Sequence, residues 1–171
     1  MKTYATPKRK ISPMQGSVRR WGAALYHQEA LLFLAGLLLA ACTTRPQVVI
    51  HSSRGPVTVT VEVADTPDAR ARGLMYRRDL GANAGMLFIF PNETEQHFWM
   101  KNTPLPLDMV FIGTDLRIVG IVPDTRPFTT NSLGVAQLSQ YVLEVHAGFC
   151  ANHGIASGDK VEFVRIDSIG E

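Results

Sequence analysis

The sequence lacks the residue patterns that mark most metal and hydrolase sites. It has two cysteines, Cys42 and Cys150, and no His-x-His or Cys-x-x-Cys spacing. No serine or cysteine lies in a nucleophile-elbow motif beside a histidine. Methionines 75, 86, 100 and 109 with His97 would suit copper(I), but methionines in apolar strands usually fill a core. We therefore predict no metal and no cofactor.

The apolar run of residues 30–41 is too short to span a bilayer. Its twelve residues, interrupted by Gly36, fall short of the ~20 that a transmembrane helix needs. Six Lys and Arg lie in residues 1–42, against one acid, Glu29. A basic segment followed by a short apolar run is typical of a secretory signal peptide.

The end of that run, Ala40-Ala41-Cys42, resembles the lipobox of bacterial lipoproteins. The resemblance implies that Cys42 is acylated and becomes the first mature residue, so that the partner is the lipid bilayer, through its acyl chains. Thr43 replaces the aspartate that retains lipoproteins in the inner membrane in enterobacterial-type sorting, which favours the outer membrane. An uncleaved anchor helix is the alternative. Met1 and Met14 both remain candidate starts.

The chain thus divides into a signal peptide (1–41), a lipidated cysteine with a tether (42–54) and a β-rich domain (55–171) that faces the periplasm. From Thr43 onward, fourteen Asp and Glu outnumber eleven Lys and Arg, for a net charge of about −3. Nucleic-acid-binding domains carry basic patches. We therefore expect no nucleic-acid partner.

Strand and turn signals dominate the domain. Residues 57–63 alternate valine with polar residues, which predicts a half-buried strand. Thr66 as N-cap and Pro67 in the first turn predict a short helix that ends at Gly73. Further strands are expected at 48–50, 86–90, 96–103, 105–112, 116–122, 141–145 and 160–166, with a second helix near 147–153. The fold class is mainly β: a compact antiparallel sandwich or a partly closed barrel with two short helices.

Several blocks then match a known family. They are Gly73-Leu74-Met75-Tyr76-Arg77, Gly85-Met86-Leu87-Phe88, Phe98-Trp99-Met100-Lys101-Asn102-Thr103 with Pro106-Leu107-Asp108, and Leu143-Glu144 followed by Gly148, Gly154-Ile155 and Gly158-Asp159. Together they resemble the domain of unknown function 192 family over residues 57–163. The resemblance implies a compact, commonly exported β-rich domain and brings no established activity with it.

The distinctive block also contains the candidate site. In a strand, Trp99 and Lys101 share one face, where an indole and an ammonium suit a small anion or a sugar-like ring. Carboxylates at positions 108 and 144 and a guanidinium at 77 would complete a semi-buried polar cluster. The candidate ligand-binding residues are Arg77, Trp99, Lys101, Asn102, Asp108 and Glu144. The alternative is two plain salt bridges, Lys101–Asp108 and Arg77–Glu144, with Asn102 capping its own turn.

Three functions remain open at this stage. The first is an envelope binding or accessory module that holds a small polar ligand or a protein partner. The second is an envelope hydrolase that uses Asp108 and Glu144 as acid and base. The third is a purely structural interaction protein that uses the aperiodic segment 123–140. Cys150 with His146 or His153 would make a Cys–His pair, although a shared helical face explains that spacing equally well.

Overall fold

The structure, a computed structural model that describes residues 45–166, is built on one curled seven-stranded sheet. The predicted signal peptide and Cys42 lie outside the described residues. The elements are β1 (Gln47–Ser52), β2 (Gly55–Ala64), α1 (Pro67–Arg72), β3 (Ala84–Thr94), β4 (His97–Phe98), β5 (Leu107–Ile112), β6 (Ile118–Val122), β7 (Leu133–Gly134), β8 (Ser139–His146), α2 (Phe149–His153) and β9 (Lys160–Val164).

The strand order is β6-β5-β8-β3-β2-β1-β9, and β4 pairs separately with β7. Every pairing is antiparallel except that of β2 with β3. The two edges of the sheet meet where Arg117 bridges Lys160, and Val161 N–H donates to the Leu116 carbonyl at 2.8 Å. The mainly β prediction is confirmed, and of its two versions the structure is the partly closed barrel: a half-barrel with two short helices.

Each face of the sheet carries its own hydrophobic core. The inner face of the curl packs side chains from all seven strands together with α2, among them Val48, Val59, Leu87, Val110, Ile118, Tyr141, Leu143, Phe149 and Val161. The outer face packs side chains of the central strands under the loops that cross them, among them Leu74, Met86, Phe88, Met100, Leu105, Met109, Phe111 and Val142. A buried strand therefore presents apolar residues on both faces, which explains the continuous apolar run of residues 86–90.

Local capping signals predicted α1 correctly. Thr66 Oγ1 accepts a hydrogen bond from Ala69 N–H at 3.2 Å, and Pro67 opens the helix. Gly73 ends it with φ of 49°, a backbone angle that favours glycine, and its N–H donates to the Ala69 carbonyl. The Val57–Val63 strand and the β5–β6 hairpin at 113–115 are also confirmed.

The predicted strand at 96–103 is wrong beyond Phe98. Only β4 pairs there, and the chain then turns. Met100 N–H donates to the Thr129 carbonyl at 2.9 Å, and Asn102 adopts a left-handed φ of 56°. The long-range hydrogen bond to Thr129 and the left-handed backbone at Asn102 therefore override a local sequence pattern that favours extended backbone.

Residues 123–138, which we name the cover segment, cross the outer face of the sheet. Thr125 is buried, and its hydroxyl donates to the Leu107 carbonyl at 2.9 Å. Val135 lies on Gly120, where a Cβ would come within 2.7 Å of Val135 Cγ1. The aperiodic segment of the sequence is therefore an ordered part of the outer core.

The sheet begins inside the stretch assigned to the tether. The strand suggested at 48–50 is β1, which starts at Gln47 and pairs with both β2 and β9. Within residues 45–166, neither helix has the length and apolar character required to cross a bilayer.

Candidate functional site

A cavity of about 500 Å³ lies between the outer face of the sheet and the loops that cover it. Residues 70–75, which comprise the end of α1 and the chain after it, form one wall. Four aromatic side chains also line the cavity: Phe88, Phe90, Phe98 and Trp99. Besides Arg70 and Arg72, the polar side chains in the wall are His97, Thr103, Thr130, Ser132 and Glu144. A cavity of this size and composition matches a small-molecule site, which is mostly apolar with a few polar groups.

Glu144 is the buried charged side chain in this wall. It lies on β8 between Met86 and Met109, its partners on the neighbouring strands, and is only 4% exposed. Within residues 45–166 its carboxyl group has no hydrogen-bond or ion-pair partner, and its oxygens are in contact with the solvent of the cavity. Burial alone raises the pKa of Glu144 to about 8. The carboxyl group is therefore mostly protonated at neutral pH and directed at an open cavity.

Trp99 lies at the rim of the cavity. Its side chain is 52% exposed, and the Lys101 ammonium lies 5.4 Å from the centroid of its ring. The predicted proximity of the indole and the ammonium is thus present, although a turn rather than a strand brings it about. Lys101 itself does not line the cavity.

Arg77 and Asn102 lie away from Glu144. Both guanidinium Nη atoms of Arg77 bond the Glu62 carboxylate, at 2.6 and 2.7 Å. The hydrogen bond from Arg77 lowers the pKa of Glu62. Asn102 donates to the Tyr76 hydroxyl at 2.8 Å in a separate recess of about 160 Å³. The predicted Arg77–Glu144 pair is therefore wrong.

Asp108 lies on the inner face of the sheet and is 1% exposed. Its carboxylate accepts hydrogen bonds from the backbone N–H groups of Asp124, Gly148 and Cys150, at 2.9, 3.1 and 2.9 Å. These bonds attach the start of α2 to β5, so the role of Asp108 is structural. The predicted Lys101–Asp108 salt bridge is absent from residues 45–166.

The two carboxylates proposed as acid and base lie on opposite faces of the sheet. Asp108 pairs in register with Val145, whose side chain belongs to the inner core, while the neighbouring Glu144 points to the outer face. Neighbouring residues of a strand alternate between faces. The four-charge cluster and the hydrolase pair are therefore both wrong.

Cys150 is not an accessible nucleophile. Its thiol is buried on the inner face, and burial followed by the charge of Asp108 raises the pKa of Cys150 to about 12. His153 Nδ1 lies 2.9 Å from the Phe149 carbonyl oxygen rather than beside the thiol. The thiol therefore stays protonated, which removes the basis for a Cys–His pair.

The methionines of the copper alternative serve mainly as core. Met86, Met100 and Met109 are buried in the outer-face cluster, and only Met75 reaches the cavity wall. Among residues 45–166, no three His, Cys, Asp or Glu side chains converge as a metal site of those ligands would require.

Several residues of the cavity wall carry no signal in the sequence. His97 and Ser132 approach each other, with Nδ1 3.3 Å from Oγ, because β4 pairs with β7. Thr130 and Ser132 come from the cover segment. The prediction that a long aperiodic segment has a functional role was the only hint of them. Of the six candidates, Trp99 and Glu144 line the cavity.

Comparison with known proteins agrees with this fold. The profile of the domain of unknown function 192 family, described as "Uncharacterized ACR", matches residues 48–163. The chain belongs to that family. No functionally curated protein matches it.

Two crystal structures share the fold of this member of the domain of unknown function 192 family. A protein of unknown function from Novosphingobium aromaticivorans is 37% identical, with a TM-score of 0.66, over 68% of this chain and 83% of its own. A putative transcription regulator from Sinorhizobium meliloti is 36% identical, with a TM-score of 0.68, over 72% of this chain and 96% of its own.

Proposed function

We propose that this protein is a lipid-anchored binding protein of the cell envelope, whose β-domain holds a small ligand in the Glu144 cavity. The observation that carries the proposal is a buried carboxyl group without a protein partner, directed into a cavity lined with aromatic side chains. The loss of bulk solvation at this carboxyl group, which its raised pKa reflects, costs free energy of folding. A bound ligand that offers a hydrogen bond to Glu144 would remove that cost.

The cavity suits a ligand with an apolar body and one polar group. Its volume of about 500 Å³ lies within the ~300–1,000 Å³ range of small-molecule sites. Phe88, Phe90 and Phe98 offer an apolar surface, and Trp99 at the rim gives the ligand a second aromatic surface near solvent. The Lys101 ammonium beside Trp99 would meet the part of a ligand that protrudes from the cavity.

Other functions have less support. The Sinorhizobium relative is described as a putative transcription regulator, but from Thr43 onward this chain carries a net charge of about −3, which opposes binding to phosphates. Asp108 and Glu144 lie on opposite faces of the sheet, so they cannot act together as the acid and base of a hydrolase. A protein partner at the exposed Trp99 would need a larger apolar surface than one indole provides.

The lipid anchor rests on the sequence of the leader. Basic residues precede a short apolar run that ends in Ala40-Ala41-Cys42, and acylation there would attach the β-domain to the bilayer. We place the domain in the periplasm, with the outer membrane favoured by Thr43.

A thermal-shift screen of small molecules tests the binding proposal. Wild type and the isosteric variant Glu144→Gln are compared, with Glu162→Gln as the matched control, because Glu162 is exposed and lies on the edge strand β9. We expect ligands that raise the melting temperature of wild type and Glu162→Gln by several degrees and that lose most of this effect on Glu144→Gln. Ligands that stabilise all three proteins equally would remove Glu144 from the site.

A further inference from the structure

The charges around the cavity leave Glu144 without a counter-ion. Arg70 is a half-buried cation of the wall, but its guanidinium donates to the carbonyls of Asp65 and Ile89 and lies 5.3 Å from the centroid of the Phe90 ring. Arg72 is exposed to solvent, where its charge is screened. Neither forms a salt bridge with Glu144.

The aromatic rings of the cavity wall also favour a ligand that carries a positive charge. The face of an aromatic ring carries negative charge density and attracts cations within about 6 Å. The protein already uses two rings in this way, because Arg70 lies over Phe90 and Lys101 over Trp99. Phe98 packs edge to face against Phe88, with 5.0 Å between ring centroids. The interior of the cavity therefore combines an unpaired carboxyl group with aromatic walls and contains no cation that neutralises the carboxylate.

We propose that the ligand is an organic amine whose ammonium group pairs with Glu144 and whose apolar body lies among Phe88, Phe98 and Trp99. This inference rests on the proposed function, because it names the class of ligand for the same cavity. An ammonium group satisfies the ionised carboxylate by a charge-assisted hydrogen bond. An anionic ligand would meet a carboxyl group that must stay protonated, and a neutral ligand would gain only an ordinary hydrogen bond.

Amine binding should depend on pH in a characteristic way. The titratable and charged groups in the cavity wall are Arg70, Arg72, His97 and Glu144. The bound ammonium needs the ionised form of Glu144, whose pKa in the empty cavity is about 8. Affinity should therefore rise about tenfold per pH unit below pH 8 and level off above it. An acid that binds the protonated carboxyl group would show the reverse dependence.

Three probes of similar size test the inference: phenethylamine, 2-phenylethanol and 3-phenylpropionate. The full-length protein carries Trp21→Phe, so that Trp99 at the cavity rim is the single tryptophan and its fluorescence reports binding. We expect phenethylamine to bind at least tenfold more tightly than the other two probes at pH 8. Its dissociation constant should fall about 50-fold between pH 6 and pH 8.

Two variants test whether Glu144 is the residue that causes the pH-dependent binding. Glu144→Gln should weaken phenethylamine binding at pH 8 by at least tenfold and remove the pH dependence, whereas His97→Gln should retain that dependence. If the alcohol or the propionate binds as tightly as the amine, the inference fails while the binding function stands. If no probe changes the Trp99 fluorescence or the melting temperature, both are overturned.

Discussion

At the scale of single residues, Asp108 and Glu144 are both buried carboxyl groups, but their surroundings differ. Asp108 is surrounded by three backbone N–H donors, so its charge has partners inside the protein. Glu144 has no such donor, and its pKa is raised to about 8. The first arrangement stabilises a fold, and the second is kept at a cost in stability and is typical of functional sites.

That cost should appear as a pH dependence of stability. The folded-state pKa of Glu144 is about 8, above the 4.5 of an unperturbed glutamate, so the folded protein holds a proton that the unfolded chain releases between these values. The contribution of Glu144 is fully present below pH 4.5 and is lost as pH rises to about 8. Relative to Glu144→Gln, the free energy of unfolding of the wild type should fall by up to about 5 kcal/mol across this window. Urea denaturation of both proteins at pH 5 and pH 8 should show about 3–4 kcal/mol of this change, and a constant difference would contradict the raised pKa.

Removing the charge of Asp108 should have a different effect. In Asp108→Asn an amide NH₂ replaces one acceptor oxygen and faces a backbone N–H donor, so we expect the free energy of unfolding at pH 7 to fall by about 2–4 kcal/mol. Asp79→Asn is the control, because Asp79 is exposed and should change stability by less than about 0.5 kcal/mol. Equal denaturation midpoints for the two variants would show that the three hydrogen bonds contribute nothing.

At the scale of elements, the sequence predicts what is decided locally. The helix α1 was predictable from Thr66, Pro67 and Gly73, because caps are formed within a few residues. The turn after Phe98 was not, because it depends on the bond between Met100 and Thr129. The sequence also could not predict that Asp108 and Glu144 lie on opposite faces of the sheet, because this follows from the register between β5 and β8. The cavity depends on both of these non-local features.

Strand β3 approaches β8 closely at Gly85, so a larger residue at this position should destabilise the fold. A Cβ at Gly85 would lie 2.5 Å from the Glu144 carbonyl oxygen and 3.2 Å from Val145 Cγ1. Gly85→Ala should therefore push β3 from β8 and lower the free energy of unfolding by about 1–3 kcal/mol. Gly81→Ala is the matched control, since a Cβ there meets only Ala84 Cβ, at 3.5 Å. Similar urea midpoints for the two alanine variants would contradict this close packing.

At the scale of the whole molecule, we expect the predicted leader and the half-barrel to make separate contributions. The β-domain supplies the cavity, and the proposed acyl chains on Cys42 supply the attachment to the bilayer. Two or more chains are needed for stable attachment, because each buried methylene contributes only ~0.8 kcal/mol.

Cys42→Ala should therefore release the protein from the membrane or leave it with an uncleaved leader. We expect wild type in the membrane fraction with incorporated labelled palmitate, and the variant without label. Cys150→Ala is the control, because the buried Cys150 should not take up label. A variant that remains membrane-bound at the mass of the mature protein would show that Cys42 is not the point of attachment.

Val135 of the cover segment packs directly on Gly120 of β6. A side chain at position 120 would occupy the space that the Val135 side chain fills. Homologues should therefore show compensating replacements: wherever evolution adds a methyl group at position 120, the residue at 135 should shrink. Larger residues at both positions would push the cover segment away from the outer face of the sheet, so the two positions should covary across the family.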